Sequence, residues 1–408
     1  MTLLTVLTPN LLRLVLYSRQ NITDVLLHSM KTANDDRITQ AEKYFSLLND
    51  NAMGLEIKET TNGGIIIVAL TIITVSRNRH QIDDCEPQYL TQTVWKFHSL
   101  LEKWRRLNSS LQIRMSICNV DGDVSSYDEA NALSKFVPMF SRFNQSHVSL
   151  VHVLEKEKQD YVFCLNSSLN IHQEAGYVFL VEDDALPGDS LFEVLQHILQ
   201  RHIQRSYYRG EFRPKSSDIA YVKFFHPEWL LDFASFQPER IPELVAYTVI
   251  LSTVLMAAVY IVSCRFSLPT SSMDLLWRKA FMISMVVVLA CGRSRISEWR
   301  RFASPHLYSY TPSPSCCTQA LLFPRASALL AVNYLSNVAC EQNFGKDSAL
   351  DNMLNDLQLP AYLVQPNTFT HIGLYSTLRN HIVNPLVCLL YTSPSPRDRT
   401  RSRMPSSA

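Results

Sequence analysis

Apolar and polar positions along the chain follow two periods. Between residues 20 and 50 the apolar residues Val25, Leu26, Met30, Ile38, Ala41, Phe45 and Leu48 recur at helical spacing, which predicts a stem helix within residues 18–60. Gly63-Gly64 then introduces Ile65 to Val75, a β-branched run ending in Ser76-Arg77-Asn78 that reads as the first core strand. Tyr89 to Leu107 reads as an amphipathic helix, Leu111 to Val120 as a strand and Leu154 to Ile171 as a helix. The short run Tyr177-Val178-Phe179-Leu180-Val181 is the next buried strand, followed by a helix to about Tyr208 and a strand from Ile219 to Phe225. Strands alternating with helices at this spacing predict an α/β domain with a mostly parallel, doubly wound sheet.

The pattern is interrupted at Leu244 to Cys264, a run without charge that is long enough, at about 31 Å as a helix, to cross a bilayer. A second apolar run, Ala280 to Gly292, spans only by recruiting Met273 to Trp277 and letting Arg278 and Lys279 snorkel. Residues 241–295 are therefore expected to form a tandem transmembrane hairpin that returns the chain to the side it left. Basic residues flank the second run on both sides (Arg265, Arg278 and Lys279 before it, Arg293, Arg295, Arg300 and Arg301 after it), so charge does not set its orientation. Beyond it, Gln319 to Val338, Asp347 to Leu357 and a strand from Ala361 to Val364 resume the globular pattern. This piece is too short to build its own sheet. The expectation is one domain, 61–240 with 296–387, split in sequence by the hairpin.

Both ends read differently. Residues 1–17 are apolar but broken by Pro9 and Asn10, and resemble part of a signal anchor. Residues 388–408, rich in Ser, Pro and Arg without apolar period, read as a disordered and non-native extension.

A net charge of +1 argues against a nucleic-acid binder built on bulk electrostatics. Four sequons (Asn21, Asn108, Asn144 and Asn166) all precede the membrane runs and lean toward a luminal location. Of the nine cysteines, Cys118 and Cys164 end predicted buried elements and can pair, whereas a bond between adjacent Cys316 and Cys317 would be a strained vicinal one. No Cys or His spacing suits a zinc site.

Candidate chemistry centres on Glu182, Asp183 and Asp184, directly behind the Tyr177 strand. Acids at the carboxyl edge of a buried parallel strand stand where ligands bind in open α/β sheets. They suit a hard divalent cation, Mg²⁺ or Mn²⁺, that shares its coordination with substrate phosphates. The competing reading is an acidic turn leading into the helix that begins near Leu191. Ser76 and Arg77, after the first strand, offer a hydroxyl and a fixed cation to a nucleotide or, in the plainer reading, a solvated loop charge. Asp347 is either a helix N-cap or a general base, and His371 either a structural histidine or a contact to phosphate or metal.

Several segments together go further: Glu155-Lys156-Glu157-Lys158-Gln159-Asp160-Tyr161, Val181-Glu182-Asp183-Asp184-Ala185, Phe225-His226-Pro227-Glu228, Ser315-Cys316-Cys317-Thr318, Phe344-Gly345-Lys346-Asp347 and His371-Ile372-Gly373-Leu374. In this order the chain, over roughly residues 40–387, resembles the Golgi family of GPI N-acetylgalactosamine transferases. The resemblance implies a GT-A-type glycosyltransferase domain split by a tandem transmembrane insertion. It further implies a luminal enzyme of the Golgi membrane that moves N-acetylgalactosamine from UDP-GalNAc, with Mn²⁺, to the first mannose of the glycan on GPI-anchored proteins.

In residue terms the resemblance makes Glu182-Asp183-Asp184 the DXD-type motif, with Asp184, assisted by Glu182, on the metal. Val75, Ser76, Arg77, Glu182, Asp183, Thr318, Gly345 and Lys346 would meet the nucleotide sugar, although Ser76 departs from an acid expected there. It implies the pairs Cys118–Cys164 and Cys316–Cys317. An α-linked donor giving a β-linked product requires inversion and therefore one general base, for which Asp347 is the candidate. Two alternatives stand beside this: another Golgi GT-A enzyme carrying N-acetylglucosamine from UDP-GlcNAc to mannose, and a catalytically inactive membrane protein that binds the GPI glycan. A transporter is excluded by the small number of spans and the lack of an intramembrane polar path.

Overall fold

The computed structural model describes residues 20–50, 66–77, 87–107, 109–144, 152–204, 219–233, 240–266, 273–373, 375–376 and 381–382. The expected amino-terminal anchor, the Gly63-Gly64 turn and the carboxyl-terminal extension lie outside the described residues. The elements, in chain order, are α1 (Gln20–Asp50), β1 (Ile66–Thr74), α2 (Tyr89–Arg105), β2 (Leu111–Asn119), α3 (Asp128–Leu133), β3 (Met139–Ser141), α4 (Val153–Ile171), β4 (Tyr177–Glu182), β5 (Ala185–Pro187) and α5 (Leu191–Ile198). Then come β6 (Val222–Lys223), α6 (Ile241–Phe266), α7 (Met273–Cys291), α8 (Arg293–Ala303), β7 (Ser309–Pro312), β8 (Ala320–Pro324), α9 (Arg325–Ser336), α10 (Lys346–Asp356), β9 (Tyr362–Gln365) and β10 (Phe369–His371). Two short strands, β11 (Tyr375–Ser376) and β12 (His381–Ile382), pair with each other.

The described residues divide into two compact units, one containing His226–Leu307 and the other Leu27–Phe225 together with the chain after Leu307. The larger unit is built on an eight-stranded, mostly parallel sheet in the order β3-β2-β1-β4-β8-β6-β9-β7. Strands β1, β2, β3 and β4 run parallel, and β8 enters antiparallel between β4 and β6. Strands from before residue 226 and after residue 307 thus share one sheet.

Period-two alternation explains the layering. On β1, Ile66, Val68, Leu70 and Ile72 face a core shared with α1, α2, α3 and α5, through Phe45, Phe97, Ala130 and Leu195. Ala69 faces the opposite core, where Tyr161 and Leu165 of α4, Ala328 of α9 and Leu350 of α10 pack. A sheet covered on both faces needs near-continuous apolar strands, which is what the Tyr177 run supplies. The carboxyl-terminal part of α1 is more than a spacer: Ala41 and Phe45 are buried, and Arg37 Nε donates to Gln92 Oε1 on α2 at 2.6 Å. The helix expected to reach Tyr208 is α-helical only to Ile198 and continues as a π-helical turn to Gln204. The strand expected over Ile219 to Phe225 keeps just Val222 and Lys223 in the ladder.

In the smaller unit α6 and α7 pack together and α8 follows immediately. Among the described residues one helix, Ile241–Phe266, is long and apolar enough to cross a membrane; Met273–Cys291 and Arg293–Ala303 qualify only as a pair bent by 90°.

Candidate active site

The three acids part company because of the same alternation. Glu182 continues the Val178 and Leu180 face of β4, toward α4 and α10. There Lys346 Nζ, at the start of α10, lies 2.7 Å from Glu182 Oε1 and 2.7 Å from Glu157 Oε1 of α4. Lys346 is buried, and these two carboxylates hold its pKa well above the usual lysine value against the effect of burial. Thr318 Oγ1 also lies 3.3 Å from Glu182 Oε1.

Asp183 turns to the other face. Its Oδ2 accepts from Thr74 Oγ1 at 2.7 Å, its Oδ1 from Arg77 Nη2 at 2.6 Å, and its backbone carbonyl from Thr93 Oγ1 at 2.6 Å. Thr74 ends the Ile66 to Ile72 face of β1 and shares a 2.7 Å hydrogen bond with Tyr127 beneath it. Burial pushes the Asp183 carboxyl up to about 7, with Arg77 pulling down and the charge of Asp184 pushing further up.

Asp184 lies against a strap formed by β10. Its carbonyl accepts from Ile372 N at 2.8 Å, and its Oδ2 is 3.4 Å from both His371 Nε2 and Arg77 Nη2. The short β5, behind the acids, pairs with β10 and places Ala185 opposite His371. A Cβ at Gly373 would stand 2.6 Å from Asp184 Oδ2 and 3.1 Å from His371 Nε2, so a side chain there would displace the carboxylate, the imidazole or the strap. Burial works to raise Asp184, but His371 and Arg77 outweigh it and keep the carboxyl well below the usual range. His371 is correspondingly raised: burial opposes its charge and Asp184 supports it. Two adjacent acids are thereby driven apart in protonation, Asp184 toward the carboxylate.

The acids do not cap a helix. Glu182 ends β4, Asp183 and Asp184 form the turn to β5, and the next helix starts only at Leu191, behind Ser190. Asp347 is not an N-cap either: Gly345 holds that position. The Asp347 carboxylate instead accepts from Cys317 N at 2.8 Å and Thr318 Oγ1 at 3.0 Å, joining α10 to the loop before β8.

Two networks thus stand side by side at the carboxyl edge of β1 and β4: Lys346, Glu182, Thr318 and Asp347 in one, Arg77, Asp183, Asp184 and His371 in the other. Arg77 is no solvated loop charge: its guanidinium is buried on Asp183 and Asp184, 4.7 Å from the centre of the Tyr89 ring, with Nε and Nη1 unpartnered among the described residues. Ser76 takes part through its backbone, donating its N–H to Asp121 Oδ2 at 2.9 Å. Val75 packs at the edge of the core on the α4 face. Gly345 meets no close neighbour that would forbid a side chain, the nearest being Leu154 at 3.6 Å.

The expected Cys118–Cys164 disulfide is present, linking β2 to α4 with the two Cα atoms 5.8 Å apart. The expected Cys316–Cys317 bond is not formed. Both residues have left-handed φ, 73° and 72°, a sharp reversal that puts the Cys317 N–H on Asp347 and the Cys316 carbonyl on the buried Lys223 ammonium; these polar contacts hold the turn without a crosslink.

Sequence reasoning missed the supporting residues Thr74, Thr93, Asp121, Tyr127 and Glu157. Strand parity is the signal that could have found Thr74. The others reach the site from loops and helices whose direction no local pattern encodes.

Whether a divalent cation fits can be judged from the donors. Asp184 Oδ1 is buried and has no hydrogen-bond partner among the described residues, nor has His371 Nδ1. A buried, ionised oxygen left unsatisfied is costly unless a cation or donor meets it. The site fits such an ion at Asp184. Glu182 fits it less well, since its Oε1 is already taken by Lys346 and Thr318. A family model described as GPI-N-acetylgalactosamine transferase PGAP4 matches residues 68–370, which include Arg77, the acids and Asp347 and end just before His371.

Proposed function

Because the chain belongs to the GPI-N-acetylgalactosamine transferase family, we propose that it transfers N-acetylgalactosamine from UDP-GalNAc to the first mannose of the glycan on GPI-anchored proteins, with inversion and with Mn²⁺. Family membership makes it a glycosyltransferase with a GPI glycan as acceptor. The metal-assisted part of this reading rests on one observation: of the three consecutive acids, only Asp184 has a buried side-chain oxygen without a hydrogen-bond partner among the described residues.

Bound at Asp184, a divalent cation would neutralise charge on the departing diphosphate. The residues of the chain do the rest. His371 and Arg77 keep Asp184 ionised, and the unpartnered Nε and Nη1 of Arg77 suit a phosphate or ribose oxygen. Asp347, the proposed base, would take the proton of the acceptor hydroxyl, oriented for it by the Cys317 N–H and the Thr318 hydroxyl. The GT-A reading is supported by a parallel β1-β4 pair that ends in the acids. Location in the Golgi lumen is supported by the Cys118–Cys164 disulfide, which needs an oxidising compartment, and membrane attachment by the apolar helix Ile241–Phe266.

The test is transfer by purified full-length protein to a GPI-anchored acceptor, comparing UDP-GalNAc with UDP-GlcNAc, with and without Mn²⁺. Mn²⁺-dependent transfer from UDP-GalNAc is expected. Preference for UDP-GlcNAc would move the protein to another transferase activity, and absence of transfer and donor hydrolysis would leave a glycan-binding protein.

A further inference from the structure

Helix α8 is built inside out. Its buried residues are Arg293, Ile296 and Ser297, whereas Trp299 is 58% and Phe302 87% exposed. At 100° per residue, Arg293, Ile296, Ser297 and Arg300 share one face, and Arg295, Trp299 and Phe302 share the opposite one. A helix in water turns its aromatics inward and its arginines outward. Here the order is reversed.

The reversal is fixed by specific contacts. Arg293 Nε donates to Glu243 Oε2 at 2.7 Å, and Arg300 Nη2 lies 3.4 Å from Glu243 Oε1, so both arginines are held on the first turn of α6. Asp232 Oδ1 accepts the Arg293 N–H at 3.0 Å, satisfying a donor at the start of α8. Gly292, at φ 78°, makes the bend of 90° between α7 and α8, a conformation that disfavours any residue with a side chain. The outward direction of Trp299 and Phe302 is therefore set by part-buried ion pairs, a cap and a glycine turn.

The neighbouring surface identifies what those rings meet. Helix α6 exposes Val254, Ile261 and Val262, and α7 exposes Met282, Ile283 and Val286, as expected of helices sheathed in acyl chains. A helix that leaves such a pair at a right angle, with tryptophan and phenylalanine on its exposed face, matches the boundary between headgroups and acyl chains. We infer that α8 lies flat in that boundary of a phospholipid bilayer, with Trp299 and Phe302 inserted. This rests on the reading of α6 and α7 as membrane-spanning, and its partner is the lipid interface, not another protein.

The experiment uses the full chain reconstituted in phosphatidylcholine vesicles. The difference in tryptophan emission between wild type and Trp299→Phe isolates Trp299. Most of that difference signal should be lost when bromine is carried near the headgroup end of the acyl chains, less when it is carried near the methyl end, and little with aqueous iodide. Adding Phe302→Trp to the Trp299→Phe background moves the probe along the same face and should give the same pattern. Quenching by iodide with no response to bromolipid at either position overturns the assignment. Alkaline carbonate extraction separates the two readings: protein that stays in the vesicles with an iodide-sensitive Trp299 refutes the interfacial helix alone, and protein that is released refutes the spanning helices as well.

Discussion

Glu182 and Lys346 meet at 2.7 Å across 164 residues of sequence, one at the end of β4 and the other opening α10. Because Lys346 also serves Glu157, its removal strands two carboxylates at once. Lys346→Met is expected to destabilise the protein by about 3–5 kcal/mol, the range for breaking a buried pair on one side. Chemical unfolding followed by tryptophan emission measures it, and a loss below about 1 kcal/mol, typical of an exposed pair, would contradict the burial described.

Asp347→Asn keeps the shape of the side chain but removes its basicity. Turnover should fall by about 10²–10⁴-fold, the usual contribution of a general base, with UDP and Mn²⁺ affinities close to wild type by calorimetry. Near-normal turnover would remove Asp347 from its role. Thr318→Val, which takes away only one donor to Asp347, should cost less.

Gly373→Ala tests the strap. The added methyl would stand 2.6 Å from Asp184 Oδ2, so either the carboxylate or the strap must move. Mn²⁺ affinity is expected to drop by roughly 10–100-fold, the scale seen when a ligand's supporting contacts are lost. Unchanged Mn²⁺ affinity, with a folded protein by circular dichroism, would show that Asp184 is not the ligand.

Burial, aided by Arg105 and opposed by Glu102, lowers the pKa of His98 below its ordinary 6.5, and its Nδ1 shares a 2.8 Å hydrogen bond with Tyr44 OH. A histidine whose folded pKa is depressed favours folding in its neutral form. Its contribution is complete above pH 6.5 and is lost as pH falls through the lower folded value. The melting temperature of wild type minus that of His98→Gln should therefore shrink as the pH is taken below 6.5 and stay constant above it.

The Cys118–Cys164 bond closes a loop of 46 residues. Replacing both cysteines by alanine should cost about 2–4 kcal/mol of stability, measured by denaturant unfolding. An equal stability of the two forms would mean that α4 is already pinned to β2 by packing alone.

Much of the scaffold can be read from local pattern. The β-branched run at Ile66 and the apolar run at Tyr177 are long enough, and bounded sharply enough, to announce buried strands, and the helical spacing between them announces the covering layers. Sequence order even puts the acids at a strand end. It does not reveal their division of labour, because the side on which Glu182 and Asp183 emerge depends on strand parity and on which helices cover each face. Lys346 reads as one more cation in a turn until α10 is packed against α4. The placement of β8 is equally opaque: Ala320 to Pro324 is apolar on both faces, and nothing in five residues says that they run antiparallel between β4 and β6.

That placement of β8 constrains how the protein can be made. As the ribosome releases the chain, β4 is finished well before β8 exists, with residues 226–307 still to be synthesised between them. Until β8 arrives, the hydrogen-bonding edge of Val178, Leu180 and Glu182 has no partner, and long-range pairing of this kind is slow and exposed to aggregation. Assembly of the acids with Lys346 and Asp347 must wait for the same event, so the nascent chain cannot complete its site one half at a time.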